Sequence, residues 1–184
     1  MSNFVAVLDN IRSLHNVGSI FRTADGAGIE RLFLCGMTGA PPRPEIRKAA
    51  LGAEEHVAWE YFLRTEEALE KLQSNGYHLV AMENNTPQAR DYREVEYVAP
   101  LALIIGHEFN GIAPEIVVRC ETVISLPMRG SKSSLNVAVA FGIAAYEISA
   151  RLYAVQSKAN DFVKIIRMIE CLAFSISASV SRPA

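Results

Sequence analysis

Three short stretches of this chain hold the residue types that could do chemistry. The first runs from Asn16 to Arg22, with Gly18 and Ser19 between. An arginine inside an otherwise apolar helical pattern could pair with a carboxylate, or grip a phosphate through its planar fork of donors. On spacing alone it reads as readily as a surface arginine on a polar helix face. The second stretch is Gly106 to Gly111, where His107 and Glu108 directly follow an apolar run. Glu108 could orient the arginine or a substrate hydroxyl, although a solvated loop carboxylate is the plainer reading. His107 draws notice because histidine titrates near neutrality, but His15, His56 and His78 show no pairing pattern with it. The third stretch is Pro127 to Asn136. There a polar loop with Arg129, Gly130 and Lys132 leads into Ser134-Leu135-Asn136. A strand end, a glycine loop and a helix N-terminus meet in it, and free N–H groups with the helix dipole favour a bound ligand at such a place. Taken alone, it equally describes a helix capped by Ser133 or Ser134.

Other chemistries lack their patterns. Gly26-Ala27-Gly28 has no third glycine and precedes a strand, so a dinucleotide fingerprint fails in context. No Walker A run is present, and Ser131, Ser133 and Ser134 do not form a nucleophile elbow. Cys35, Cys120 and Cys171 are widely spaced, with no CxxC and no Cys/His cluster. Neither a metal site nor a disulfide framework is indicated, and a reducing, cytoplasmic setting fits. The net charge of −2 is not the basic balance of most nucleic-acid binders, so any RNA contact must come from a local patch. MSNFVAVLDN has no signal-peptide layout. The apolar run Cys171 to Val180 is too short and serine-rich to span a membrane.

The elements that must position these residues alternate between strand and helix. At 184 residues the chain is expected to form one domain with a substantial core. Phe4 to Leu8, Leu32 to Leu34, Tyr77 to Met82, Leu101 to Ile105 and Val123 to Leu126 read as buried strands, with a short extended segment at His56 to Trp59. Asn16 is read as the N-cap of a helix to about Gly26, and Thr65 as the N-cap of a helix to Ser74. The stretch 37–44 is too rich in proline for regular structure, and Ile46 to Ala53 reads as a short helix. Glu83 to Tyr97 reads as irregular. Pro114 suits the first turn of a helix to about Cys120. The helix opened by Ser134-Leu135-Asn136 should continue to about Tyr153, and Asn160 to Phe174 should form a further helix. The pattern predicts an α/β domain with a mainly parallel sheet. Residues 1–155 form the domain in this reading, and 156–184 a helical tail that is not a separate domain.

Read together, the three junctions resemble the SpoU/TrmH family of RNA ribose 2′-O-methyltransferases, in the SPOUT superfamily. The first motif is Asn16-Val-Gly-Ser-Ile-Phe-Arg22-Thr-Ala. The second is Ile105-Gly-His-Glu108-Phe-Asn-Gly111-Ile. The third is Leu126-Pro-Met-Arg-Gly-Ser-Lys-Ser-Ser134-Leu-Asn136-Val. Their order and separation match the family over about residues 3 to 152. Position 107, often asparagine in relatives, is His107 here.

The resemblance implies a SPOUT fold with a C-terminal trefoil knot, although knots are nearly absent among proteins in general. It implies S-adenosyl-L-methionine bound in that knot by Met82, Glu83, Gly106, Leu126 and Leu135. It implies a homodimer whose site is completed across the interface, an RNA substrate (tRNA or rRNA), and neither metal nor membrane. By the same carry-over, Arg22, Asn16, Glu108, Ser134 and Asn136 are the catalytic set. Arg22 would contact the RNA backbone or the reacting hydroxyl, and the other four would orient it, the hydroxyl and the cofactor. A guanidinium is too basic to serve as a general base, which favours phosphate clamping for Arg22. The chain shows no separate RNA-binding extension, so Arg12, Arg43, Arg47, Lys48, Arg90, Arg93, Arg129 and Lys132 are left to supply the basic patch. Two alternatives stay open: a base methyltransferase of the same fold, and a catalytically weak RNA-binding or assembly protein.

Overall fold

The computed structural model describes residues 3–84 and 86–157. Seven strands form one sheet: β1 (Phe4–Asp9), β2 (Arg31–Cys35), β3 (Ala58–Phe62), β4 (His78–Met82), β5 (Arg90–Asp91), β6 (Leu101–Ile105) and β7 (Thr122–Ser125). Their order across the sheet is β3-β2-β1-β6-β4-β7-β5, and every pairing is parallel. Parallel neighbours need crossovers, which here are mostly helical and cover both faces. The helices are α1 (Leu14–Ala27), α2 (Pro44–Ala50), α3 (Thr65–Ser74), α4 (Pro114–Val117) and α5 (Val137–Ser157). The expected tail helix at Asn160 to Phe174 and the run Cys171 to Val180 lie outside the described residues.

Side-chain alternation along the central strands builds two cores. Phe4, Ala6 and Leu8 of β1 join Val17, Ile20 and Phe21 of α1, Ile46 of α2, and Phe141, Ala144 and Ile148 of α5. Val5 and Val7 point the other way, into a second cluster with Ala68, Leu69 and Leu72 of α3 and Ile116 of α4. By length and composition α5 could cross a membrane. Its face of Phe141, Ala144, Ala145 and Ile148 is instead fully buried in the first core, so it is a helix of this domain. Ser149 ties it to α1, its hydroxyl donating to the Ala27 carbonyl at 2.7 Å.

The expected strand Leu101 to Ile105 forms with those bounds. Several expected features differ, among them the short strand β5 within the stretch Glu83 to Tyr97 that reads as irregular. α1 is capped by Ser13, whose hydroxyl accepts from the Asn16 N–H at 3.3 Å, so Asn16 lies inside the first turn and its side chain is free for other work. Thr65 does not cap α3: Arg64 precedes the helix, and the buried Thr65 hydroxyl donates to Asp9 instead. The 37–44 segment ends in regular structure, because Pro44 occupies the first turn of α2, where its missing N–H costs nothing.

Candidate functional site

The parallel register gathers the three motifs at one edge. Leu8 of β1 and Met82 of β4 both pair with Ile105 at the end of β6, and Met82 also pairs with Ile124 of β7. The residues that follow these four strands therefore leave the sheet side by side: 10–13, 83–84, 106–108 and 126 onward. Strand order also switches direction here, which in open α/β sheets opens a crevice beyond the carboxyl ends.

A hydrogen-bonded chain joins the motifs. Glu108 is its anchor. One carboxylate oxygen accepts from the Ser13 N–H at 3.1 Å and from the Asn16 amide at 3.0 Å, and the other accepts from the Arg12 N–H at 3.2 Å. The Asn136 amide donates to Asn16 Oδ1 at 3.1 Å. Asn136 Oδ1 in turn accepts from the N–H groups of Ala138 and Val139 at 3.0 and 3.4 Å. Asn136 is thus the N-cap of α5, in place of Ser133 or Ser134. The cap must reach Asn16 and the helix at once, and the Asn136 amide does so with its donor and acceptor on separate atoms, Nδ2 to Asn16 and Oδ1 to the helix N–H groups. Burial alone would push the Glu108 carboxyl upward. The donors from Asn16, its own backbone, Ser13 and Arg12 outweigh that and hold it below its ordinary value of 4.5.

The loop that carries Glu108 is closed tightly. His107 and Gly111 exchange backbone hydrogen bonds at 3.1 and 2.9 Å. His107 Nδ1 accepts from the N–H groups of Phe109 and Asn110 at 3.0 and 3.3 Å. The histidine is therefore a structural acceptor in its own turn. A side chain at Gly106 would come within 2.5 Å of the Gly111 backbone, and one at Gly111 would meet the Glu83 carboxylate. Glu83 accepts from the Ile112 N–H at 3.0 Å and so fastens this loop to the end of β4.

Sequence reasoning missed Asn84. Its side chain donates to the carbonyls of Leu126 and Ser133 at 3.1 and 3.2 Å and accepts from the Leu126 N–H at 2.9 Å. It pins both ends of the 126–133 loop against β4. The signal in the sequence was an Asn two residues after a strand, in a region read as irregular.

These loops enclose a pocket. Met82, Glu83, Gly106, Leu126 and Leu135 all line it, together with Glu108 and Ser134. Its walls are apolar at Met82, Ile105, Leu126, Val137 and Ala140, and two carboxylates face it. Asn16 and Asn136 stand just outside, linked to it through Glu108. Arg22 is not brought in. It is exposed on α1, and its side chain makes no hydrogen bond or ion pair among the described residues. The basic residues divide in the same way. Arg93 is paired with Asp91 at 2.5 Å, which offsets its charge, whereas Arg90 donates to the neutral Glu94 carbonyl and keeps its charge. Arg12, Arg43, Arg47, Lys48, Arg129 and Lys132 carry exposed side chains with no hydrogen bond or ion pair among the described residues. Among the described residues no three His, Cys, Asp or Glu side chains group as a metal site.

Comparisons with known proteins converge on one family. A Staphylococcus saprophyticus protein, assigned by name to the TrmH family of tRNA/rRNA methyltransferases, is 32% identical over 155 residues, 84% of this chain and 61% of its own. The chain thus spans about three fifths of the curated relative it matches. An AdoMet-bound rRNA methyltransferase from Sinorhizobium meliloti superposes with a TM-score of 0.76 at 30% identity, covering 81% of this chain and 56% of that one. A structure described for the 2-OH methylation of C/U34 on tRNA superposes with a TM-score of 0.74 at 27% identity, covering 82% of this chain and 97% of that one. The family model for the SpoU rRNA Methylase family matches residues 3–146, a span that takes in all three motifs and every strand of the sheet. With the motifs gathered by that sheet around one pocket, the chain belongs to the SpoU rRNA methylase family.

Proposed function

We propose that this protein is an S-adenosyl-L-methionine-dependent RNA methyltransferase that methylates a ribose 2′-OH of tRNA or rRNA. The observation that carries this is the Glu108–Asn16–Asn136 chain beside the strand-end pocket. The residues present fit the cofactor: apolar walls suit its adenosine, and the Glu83 and Glu108 carboxylates favour a cation. Met82, Glu83, Gly106, Leu126 and Leu135 would hold it. When bound, it supplies a methyl group on a sulfonium, already activated for transfer.

The protein's own share is positioning and charge placement. A ribose hydroxyl is a poor nucleophile and must be aimed. Glu108 is held ionised, so it can accept from that hydroxyl or from a group that orients it. Asn16 and Asn136 fix the carboxylate and leave little freedom at the mouth of the pocket. Ser134 adds a hydroxyl to the lining. Arg22 clamps the RNA phosphate in this reading.

Arg22 stands apart from its own pocket, which supports a homodimer whose site is completed by the second copy. Arg22 and Gly26 lie one turn apart on α1. A Cβ at Gly26 would lie 2.6 Å from the Tyr146 hydroxyl, and Tyr146 belongs to an exposed apolar stripe on α5 with Val139, Ile143 and Tyr153. A copy seated on that stripe would meet Arg22 at its edge. The free cations support the RNA reading. α2, with Arg47 and Lys48 on it and Arg43 at its N-cap, packs against α1 at Gly18, close to the Asn16 end of the chain of hydrogen bonds. The trefoil knot is part of the same proposal, supported by the way Asn84 at the end of β4 grips both ends of the 126–133 segment.

The test is methyl transfer from labelled S-adenosylmethionine into total cellular RNA that lacks this modification, followed by nucleoside mass spectrometry. A labelled 2′-O-methylnucleoside is the expected result. Label on a base overturns the ribose assignment. No label, with cofactor binding verified, overturns catalysis in favour of an RNA-binding scaffold.

A further inference from the structure

Among the described residues, Phe109 has the greatest fractional exposure of the exposed large hydrophobics, at 86%. It follows Glu108 directly, so it stands one residue from the centre of the site. Its loop cannot fold it away. The turn is closed by the His107–Gly111 bridge, and the Phe109 and Asn110 N–H groups are both taken by the His107 ring. Close packing at Gly106 and Gly111 fixes the base of the turn. An aromatic ring held in water on a rigid turn has lost the usual benefit of burial.

The ring also borders two cavities. One is the pocket already described; the other lies beyond the loop, between α4 and the 86–90 segment. Thr86, Gln88 and Asn110 line this second cavity and offer both donors and acceptors beside Phe109. Stacking on an aromatic face tolerates any base, and neighbouring amides can meet a base edge.

We propose that Phe109 is a stacking platform for the nucleobase of the nucleotide whose ribose is presented to Glu108. This rests on the RNA methyltransferase reading and adds a positioning residue to it. The juxtaposition of Glu108 and Phe109 places sugar and base on consecutive side chains, one turned inward to Asn16 and one outward. A base held on the ring would leave its ribose little room to rotate away from the carboxylate.

The test compares two labelled probes of equal length and charge, a uridine 12-mer and an abasic ribose-phosphate 12-mer, by fluorescence anisotropy on the full chain. The wild type should prefer the uridine probe by at least about fivefold, the lower end of base–aromatic stacking. Phe109→Ala should bind both probes at the abasic level. Phe109→Trp should keep the preference and, in a Trp59→Phe background, its emission should be quenched by the uridine probe alone. A preference that survives Phe109→Ala overturns the proposal, as does a wild type that shows none. S-adenosylmethionine titration of the same samples separates the two readings. Cofactor binding without base preference sinks the platform and leaves the methyltransferase, whereas a wild type that binds no cofactor sinks the methyltransferase reading itself. A Phe109→Ala variant that still binds cofactor is folded, so its loss of preference counts.

Discussion

The Asn136 amide donates to Asn16 Oδ1 at 3.1 Å, joining residues 120 positions apart in the chain. Each asparagine uses both ends of its side chain, so the pair transmits position from Glu108 to the start of α5. Asn16→Ala should leave one Glu108 oxygen short of a donor and the Asn136 amide without an acceptor. The expected loss of unfolding free energy is about 1–3 kcal/mol. A urea double-mutant cycle with Asn136→Ala should give a coupling of at least about 0.5 kcal/mol. Strict additivity would show that the two amides act independently.

Glu108 sets the pH dependence of this corner. Its folded carboxyl lies below the ordinary 4.5, because donors from Asn16, Ser13 and Arg12 outweigh burial. A carboxyl lowered by folding contributes stability above its unfolded value, and that contribution is lost as pH falls through the folded value. The gap in stability between wild type and Glu108→Gln should therefore be full near neutrality and narrow as pH drops below 4.5. The comparison removes the opposite effect of Asp9, whose carboxyl is raised by burial and so favours the folded state more as pH falls. A gap that widens in acid would contradict the assignment.

Asn84 makes three hydrogen bonds to the 126–133 loop. Asn84→Ala should free the loop and weaken cofactor binding by about tenfold, in line with the loss of one or two net hydrogen bonds. Isothermal titration with S-adenosylmethionine would measure it. An unchanged affinity would mean that Leu126 and Leu135 do not depend on this clamp.

Arg22 is the cleanest separator of binding from transfer. Arg22→Ala should retain fold and cofactor affinity while transfer falls by about a hundredfold or more. In a homodimer with a shared site, mixing equal amounts of Arg22→Ala and Glu108→Ala subunits should restore one working site per heterodimer, about a quarter of the wild-type activity after random exchange. No recovery on mixing would place Arg22 and its partner carboxylate in one subunit.

Gly18 lets α1 and α2 approach closely. A Cβ there would lie 2.5 Å from the Ile46 carbonyl oxygen and 2.7 Å from the Ala49 Cβ. Gly18→Ala should cost about 1–3 kcal/mol by overpacking, read as a lower urea midpoint. Because α2 carries Arg47 and Lys48, with Arg43 at its N-cap, RNA affinity should fall with it.

Much of the site was legible because it is written in local order. The three motifs, their glycines and the strand Leu101–Ile105 depend on neighbours along the chain. The features that were misread are those whose partners are distant. Asn16 and Thr65 look like helix caps, but their polar groups are claimed by Glu108 and Asp9 from other strand ends. Ser134 looks like the cap of α5, but Asn136 is selected because it alone also meets Asn16. Asn84 could not be found at all, since its partners Leu126 and Ser133 are more than 40 positions away.

The amino-acid sequence by itself determined the alternation of strands and helices, the residue types of the three motifs and the family they belong to. Only the tertiary structure decided which strands are neighbours, and so which side chains meet. Parallel pairing of β1, β6, β4 and β7 puts four strand ends in one row. Hydrogen-bond partners are then chosen by that row, because a buried polar group takes whichever partner the sheet brings within reach.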